Sequence, residues 1–337
     1  MTKHESGHDP RVQALLRKGV RMPHPASVEI APEVNLDLIS GDGVTIHGGS
    51  RIRGERTVIS AGCTLGAETP MTIEDCQLGE GVALKGGYAS KAVFLAGSSL
   101  GSGAHVREGS ILEEEANGAH TVGLKQTILF PFVTLGSLIN FCDCLMAGGT
   151  SRSDHSEVGS SYIHFNYTPD GNKTTASLFG DVPRGVMLDQ PPVFLGGQGG
   201  AVGPVHTGFG TVVAAGSVLR ADVDDDNMLV TVDAPAGKVR PVAKHSYRQL
   251  ARIVERNLTY VAGLDALEAW YATVRRPFFE ATDLGEHVLD GALRALASGR
   301  AERLKRLKTL FAHLDETDAG RRQLRERGAD VLACFGA

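Results

Sequence analysis

The chain has 337 residues, a hydrophobic content of 42% and a formal net charge of −5. This charge provides no positive field for nucleic acid or an anionic membrane, and no stretch reaches the roughly 18 apolar residues of a membrane span. The first twenty residues lack the apolar run of a signal peptide, and the five cysteines are scattered. We therefore expect a cytoplasmic protein with free thiols and without nucleic-acid or membrane partners.

A six-residue periodicity begins near residue 28 and indicates the fold of the first two thirds of the chain. Aliphatic residues followed by glycine recur as well, as in Leu65-Gly66 and Leu135-Gly136. Hexapeptide repeats are typical of a parallel β-helix, whereas a β-sandwich would show alternating strands with turns every 8–12 residues. We predict an N-terminal cap over residues 1–27 and a β-helix over residues 28–235. The repeat frame consists of Val28, Val34, Ser40, Ile46, Ile52, Val58 and Thr64.

A polar excursion over residues 148–177 interrupts the repeats. It concentrates Asp154, His155, Asn166, Tyr167 and Lys173, none of which the apolar frame requires. Long loops in compact domains are usually functional or disordered, and the aromatic residues here argue against disorder. We therefore predict that this inserted loop carries the functional site.

Helical spacing replaces the six-residue step after Pro235. Apolar residues at three- and four-residue steps predict a helical domain over residues 243–337. An open solenoid end needs a cap, so we expect this region to cover the β-helix or to pack on a neighbouring subunit. The first apolar stripe consists of Leu250, Ile253, Val254, Leu258 and Val261.

Two motifs carry a family resemblance. One is the loop Asn-Tyr-Thr-Pro-Asp-Gly-Asn-Lys at 166–173, followed by Phe-Gly-Asp at 179–181, and the other is Gly-Thr-Val-Val-Ala-Ala-Gly-Ser-Val at 210–218. On these motifs the chain resembles the left-handed β-helix hexapeptide acyltransferases. Within them it is most similar to the acetyltransferase half of bifunctional bacterial N-acetylglucosamine-1-phosphate uridyltransferase, and it also resembles UDP-N-acetylglucosamine pyrophosphorylase-related proteins.

The resemblance implies a left-handed parallel β-helix in a homotrimer. It also implies acyl transfer from acetyl-CoA or another coenzyme A thioester to a sugar or nucleotide sugar, with no metal. The late coil would contribute Ala214 and Ala215 to the coenzyme site. Lys173 and Arg184 are suited to phosphate groups. The remaining predicted ligand-binding residues are Asn140, Asn166 and Tyr167.

The general base of the family has no counterpart in this sequence. An ungapped alignment of Val122-Gly123 and Leu135-Gly136 places Phe141 where the family has its catalytic His, and Cys144 where it has a Tyr. Acyl transfer needs a base with a pKa near neutrality. We predict His155 as the replacement, because Asp154 or Glu157 could orient it, with Asp154 as the catalytic partner and His164 as a second candidate for the base. The alternative is a non-catalytic nucleotide-sugar-binding or scaffold protein that lacks the base.

Overall fold

A computed structural model gives the structure of the protein, and the chain divides into two compact units. The first unit comprises Met1–Ile139 and Tyr271–Ala295, and the second comprises Asn140–Trp270 and Leu296–Ala337. Both contain turns of a parallel β-solenoid, about 11 in all, and a helical region follows the strands in sequence. The predicted fold class is thereby confirmed, while the domain boundaries predicted at residues 235 and 243 stay a prediction. The structure describes residues 9–165, 173–234, 236–239, 241, 247 and 249–335.

Short strands separated by turns make up most of the first unit. The strands up to residue 139 are β1 (Glu29–Ile30), β2 (Thr45–Ile46), β3 (Arg51–Arg53), β4 (Val58–Ile59), β5 (Thr64–Leu65), β6 (Met71–Glu74), β7 (Gln77–Leu78), β8 (Ala83–Leu84), β9 (Gly87–Ser90), β10 (Val93–Phe94), β11 (Ser99–Leu100), β12 (Ala104–Val106), β13 (Ile111–Leu112), β14 (Asn117–Gly118), β15 (Val122–Leu129) and β16 (Thr134–Leu135). Helix α1 (Pro10–Lys18) precedes them.

The strands of the first unit form three parallel ladders, one for each face of a prism. The ladders run β1-β3-β6-β9-β12-β15, β4-β7-β10-β13-β15 and β2-β5-β8-β11-β14-β16. Strand β15 pairs with both β12 and β13, so it continues from one face to the next. Val93 pairs with Ile111, and Ser99 pairs with Asn117. Each of these pairs is three six-residue repeats apart, which is the spacing expected when three repeats form one coil.

The interior of the prism holds the aliphatic side chains that the repeat predicts. Ile46 and Ile52 are fully buried, and Val58 is 2% exposed. At the next repeat Leu65 is fully buried, whereas Thr64 is only partly buried. The frame therefore shifts by one residue at β4, where both residues are buried. Burial of each such side chain contributes about 1.5–3 kcal/mol, which is why the repeat tolerates few polar interior positions.

The second unit repeats this architecture. Its strands are β17 (Ile139–Met146), β18 (Gly149–Ser151), β19 (Asp154–His155), β20 (Glu157–Val158), β21 (Tyr162–Phe165), β22 (Ser177–Phe179), β23 (Phe194–Leu195), β24 (Gly200–Gly203), β25 (His206–Thr207), β26 (Val212–Val213), β27 (Val218–Leu219) and β28 (Leu229–Val230). Its three ladders run β17-β21-β24-β27, β17-β22-β25 and β20-β23-β26-β28.

Helices follow the last strand, as predicted. They are α3 (Leu250–Trp270), a π-helical turn (Tyr271–Arg275), α4 (Arg276–Glu280), α5 (Gly285–Ala312) and α6 (Ala319–Ala333), while the short α2 (Val182–Gly185) lies earlier in the chain. Within the described residues no helix is long and apolar enough to cross a bilayer.

Helix α3 is attached to the last coil by ion pairs. Arg252 donates from Nε and Nη2 to the two carboxylate oxygens of Asp222, at 2.7 and 2.9 Å. Arg256 bridges Asp222 and Asp224, at 3.1 and 2.9 Å. Burial alone would raise the pKa of Asp222, but hydrogen bonds from Arg252 and from the His206 N–H hold it below the usual 3.8. These contacts keep the Asp222 carboxylate charged and α3 in place.

A buried ion pair joins the carboxyl-terminal part of α5 to strand β17. Arg303 Nη2 lies 2.8 Å from Asp143 Oδ1, and the two side chains are 3% and 10% exposed. Arg303 also donates to the carbonyl oxygen of Lys173 at 3.3 Å, and the Thr175 hydroxyl donates to Asp143 at 3.3 Å. Loss of one member of such a pair leaves the other charge buried without compensation.

We expect Arg303→Ala to lower the free energy of unfolding by about 3–5 kcal/mol, because the Asp143 carboxylate stays buried without its partner. The matched control is Lys305→Ala on the same helix, since the Lys305 side chain is 72% exposed and pairs only loosely with Glu302. Its effect should stay within about 0.5 kcal/mol. Urea unfolding followed by circular dichroism measures both. Equal midpoints for the two variants would show that the buried pair does not hold α5 in place.

Candidate functional site

A small hairpin interrupts the solenoid in the second unit. Strands β18 and β19 pair antiparallel, with Gly149 opposite His155, in contrast to the parallel ladders of the faces. Gly149 has φ of +100°, and a Cβ atom there would lie 2.5 Å from the Cα atom of His155. Only glycine tolerates both the conformation and the close approach. The chain therefore leaves the ladder here and places His155 on the second strand of a tight hairpin.

Ser156 fixes the end of this hairpin to the solenoid. Its side chain is fully buried, and its hydroxyl donates to the Ala147 carbonyl oxygen at 2.8 Å. The same hydroxyl accepts from the Val193 N–H at 2.9 Å, and the Gly149 N–H donates to the Gln190 carbonyl oxygen at 3.0 Å. The hairpin is thus held on both sides by the neighbouring coil.

His155 has the properties of an uncharged base. Its side chain is partly buried, and no described residue forms a hydrogen bond with its enclosed Nδ1 atom. Desolvation, followed by the nearby charge of Arg152, lowers the pKa of His155 below its usual 6.5, against the opposite effect of Glu157 and Asp154. The imidazole is therefore neutral at pH 7 and able to accept a proton.

Asp154 is exposed, and its carboxylate has a different partner from the one predicted. The Thr150 hydroxyl donates to Asp154 Oδ2 at 3.0 Å. Asp154 and His155 are consecutive residues of one strand, and consecutive side chains project to opposite sides of a strand. Asp154 thus acts on His155 through its negative charge, which raises the pKa of His155 less than burial, Arg152 or Glu157 change it.

Of the other predicted binding residues of the hairpin region, the structure describes Asn140 and Lys173, and both are at the surface. Asn140 is exposed on β17, opposite Tyr162 in the ladder. Lys173 is exposed too, and its carbonyl oxygen accepts from Arg303. Asn166 and Tyr167 lie outside the described residues. Arg303 was not identified from the sequence, because α5 contains four arginines and nothing in the sequence distinguishes the one that meets Asp143.

Arg184 is bound by carboxylates. Its guanidinium donates to Asp181 at 2.7 Å and to Asp226 at 2.6 Å, and it lies 4.7 Å from the centroid of the Phe209 ring. The hydrogen bonds that Arg184 donates to Asp226 and then to Asp181 raise the pKa of Arg184. A phosphate at Arg184 would have to displace one of these carboxylates, so the present arrangement serves the packing of α2 on the last coils.

The late coil presents Ala214 and Ala215 at a turn after β26. Ala215 is exposed and Ala214 is partly buried. Gly196 of the preceding coil lies close to this turn. A Cβ atom added at Gly196 would be 2.3 Å from the backbone nitrogen of Ala215. The two coils therefore stack tightly at this corner.

Phe141 and Cys144 offer no acid–base group at the surface, because both are fully buried. The cysteines of the chain are free thiols, and no cluster of His, Cys, Asp and Glu suited to a metal occurs in the part of the chain that the structure describes. His155 is the predicted base whose environment lowers its pKa, and the second candidate, His164, is partly buried on β21.

Comparison with known proteins agrees with the resemblance predicted from the loop and the late coil. The bifunctional protein GlmU of Thermotoga petrophila is 26% identical over 240 residues, which cover 70% of this chain and 46% of the relative. The chain is similar to GlmU. GlmU of Streptococcus equi subsp. zooepidemicus is 28% identical over 235 residues, covering 68% and 43%, and that of Synechococcus elongatus is 27% identical over 218 residues, covering 65% and 43%.

The chain thus spans less than half the length of these GlmU relatives. No family model matches it. The similarity and the parallel solenoid together confirm the predicted resemblance to a GlmU-like β-helix protein.

We expect His155 to titrate below pH 6.5 in the folded protein, because burial and Arg152 both disfavour the imidazolium ion. Nuclear magnetic resonance of ¹³C-labelled histidines measures this, and the spectrum of His155→Gln assigns the signal. Arg152→Gln should move the titration to higher pH, whereas Arg220→Gln, a change of an exposed arginine that is not among the groups shifting His155, should leave it in place. A midpoint at or above 6.5 in the native protein would contradict the expected environment.

Proposed function

We propose that the chain is a coenzyme A-dependent acyltransferase that transfers an acetyl or related acyl group to a sugar or nucleotide sugar. The similarity to GlmU and the parallel solenoid support this class of protein. The single observation that carries the catalytic assignment is the neutral, partly buried imidazole of His155 on a hairpin fixed to the solenoid.

His155 would act as general base in this reaction. It would take the proton from the amine or hydroxyl of the acceptor as that atom attacks the thioester carbonyl carbon. The carbon–sulfur bond then breaks, and the proton passes to the departing thiolate. Proton transfer of this kind contributes typically about 10²–10⁴-fold to the rate. Asp154 would tune the imidazole through its charge.

The remaining predicted residues would bind the two substrates. The turn at Ala214 and Ala215 would contact the coenzyme, and the exposed ammonium of Lys173 would meet a phosphate. Asn140, Asn166 and Tyr167 would contact the acceptor. Arg184 would contribute only if Asp226 released it, since two carboxylates now hold it.

A second candidate function is that of a non-catalytic nucleotide-sugar-binding or scaffold protein. The burial of Phe141 and Cys144 favours it, because the positions that correspond to the family's catalytic groups cannot reach a substrate. The Thr150 contact of Asp154 favours it as well, since the structure pairs the Asp154 carboxylate with the Thr150 hydroxyl. The two functions differ in turnover and agree in ligand binding.

We expect the native protein to transfer the acetyl group of acetyl-CoA to an amino sugar or its nucleotide derivative, measured by release of the free thiol. His155→Ala should reduce turnover by about 10²–10⁴-fold. The control His313→Ala removes an exposed histidine directly after α5 and should leave turnover unchanged. Full activity of His155→Ala would exclude His155 as the base.

Thermal melting separates the two candidate functions. A ligand at 100 times its dissociation constant stabilises the native state by about 2.7 kcal/mol and raises the melting temperature. Stabilisation by acetyl-CoA or a UDP-sugar without any turnover would favour the binding protein. No stabilisation by acetyl-CoA, coenzyme A or UDP-sugars would refute both.

We also propose that the chain forms a homotrimer, and an apolar stripe on the second unit supports it. Phe194 pairs with Val212, and Val212 pairs with Leu229, so the three side chains occupy successive rungs of one face. They are 40%, 39% and 73% exposed. A stripe of exposed apolar side chains marks an interaction surface, and one repeated contact closes into a ring when the symmetry is cyclic.

We expect light scattering to give the mass of three chains at micromolar concentration. Phe194→Glu combined with Leu229→Glu should reduce the mass to that of one chain, because it buries charge in the stripe. Met187→Glu is the control, since Met187 is 61% exposed and lies outside the stripe. A monomer mass for the native protein would refute the trimer.

A further inference from the structure

The first unit contains a cavity with no role in the proposed acyl transfer. It lies between one corner of the solenoid and the segment that follows the π-helical turn, and it encloses about 150 Å³. A space of this size accommodates a benzene-sized group. The residues of its lining that matter for its chemistry are Glu80, Ala96, Glu114, Arg275, Phe278 and Phe279.

The floor of the cavity is a column of three residues in successive coils. The Gly97 N–H donates to the Glu80 carbonyl oxygen at 2.8 Å, and the Glu115 N–H donates to the Ala96 carbonyl oxygen at 2.9 Å. Glu80, Ala96 and Glu114 therefore stand above one another at one corner. Coils stack about 4.8 Å apart, so the two glutamates are about 10 Å apart at the backbone. The short side chain of Ala96 leaves a notch between them, which we call the Glu80–Glu114 notch.

Aromatic side chains form the opposite wall. Phe278 is 73% exposed, and Phe279 is 9% exposed. The ring of Phe279 stacks on that of Tyr271, with the centroids 6.0 Å apart. The lining of the cavity therefore combines apolar aromatic surface with the carboxylates of the notch.

The π-helical turn Tyr271–Arg275 supplies the groups that hydrogen-bond to the glutamates next to the notch. Turns of this type are rare and are frequent at functional sites. The Tyr271 hydroxyl and Arg275 Nη1 both donate to Oε1 of the buried Glu113, the latter at 3.1 Å, and Arg275 Nη2 donates to Glu114. The Arg275 guanidinium is thus already engaged with two carboxylates.

Negative charge exceeds positive charge around the cavity. Glu80 is exposed and forms no ion pair with any residue that the structure describes. Burial raises the pKa of Glu113, against the opposite effect of the Arg275 charge. Even without Glu113, the lining contains two carboxylates, those of Glu80 and Glu114, and one guanidinium, that of Arg275. A site with net negative charge and an apolar wall is complementary to a cation that carries an apolar group.

We propose that the Glu80–Glu114 notch binds a small organic cation, a primary ammonium group joined to an apolar group about the size of one aromatic ring. The ammonium lies over Ala96 and contacts the carboxylates of Glu80 and Glu114. The apolar group packs against Phe278 and Phe279. The proposal is independent of acyl transfer, since none of these residues belongs to the site around His155.

The experiment compares two ligands of the same shape, 2-phenylethylamine and the neutral 2-phenylethanol, by ligand titration of the full-length protein in nuclear magnetic resonance. A hydrogen bond to a charged group is worth enough that the amine should bind at least about tenfold more tightly than the alcohol. Glu80→Gln should weaken amine binding by about tenfold and leave alcohol binding unchanged. Ala96→Leu should weaken both ligands, because it fills the notch.

Both positions are exposed, so neither substitution threatens the core. The control Glu55→Gln removes an equally exposed carboxylate from a turn of the same unit and should change nothing. The proposal is overturned if the amine shows no saturable binding or binds no better than the alcohol. It is also overturned if Glu80→Gln and Ala96→Leu both bind the amine as the native protein does.

Discussion

The hydrogen bonds between successive coils are the constraint on which every other feature of this protein depends. Within a coil the short strands have no partners for their peptide groups, so each N–H must meet a carbonyl of the next coil, as Thr64 meets Val82 at 2.8 Å. This pairing fixes the register, and the register places side chains in columns. The stripe of Phe194, Val212 and Leu229 and the notch at Ala96 are both columns of this kind. Neighbouring side chains on the surface of this fold therefore come from successive coils and not from neighbouring positions in the sequence.

The fold could be predicted because its signal is local. The step of six residues brings Ile46 and Ile52 to the same interior line, and the structure buries both. The prediction was less accurate at Thr64, since a one-residue shift at β4 moves the buried position to Leu65. The attachment of the helices could not be predicted, because Asp143 and Arg303 are 160 residues apart and no periodicity links them.

In the candidate site, too, some features could be predicted from the sequence and others could not. His155 could be identified from residue type and from its place in a polar excursion of an apolar scaffold. The sequence also predicted that the family's catalytic His is replaced by Phe141. The structure agrees with a role for Phe141 in the interior, because its side chain is fully buried. The partners of the charged groups could not be inferred, since each depends on which oppositely charged side chain the fold brings closest. Asp154 meets Thr150, and Arg184 meets Asp226, which lies 42 residues away.

The attachment of helix α3 has a consequence for how the helix is placed along the last coil. Asp222 and Asp224 are two residues apart in an extended segment, where Val223 bridges to Thr207, so their side chains point the same way about 6.7 Å apart. Arg252 and Arg256 are four residues apart on a helix, which separates them by about 6 Å along its axis. The two spacings nearly coincide, so both ion pairs form together in one alignment. Sliding the helix by one turn would leave one arginine beyond the last carboxylate, and the charges thus act as a ruler that selects a single position for α3.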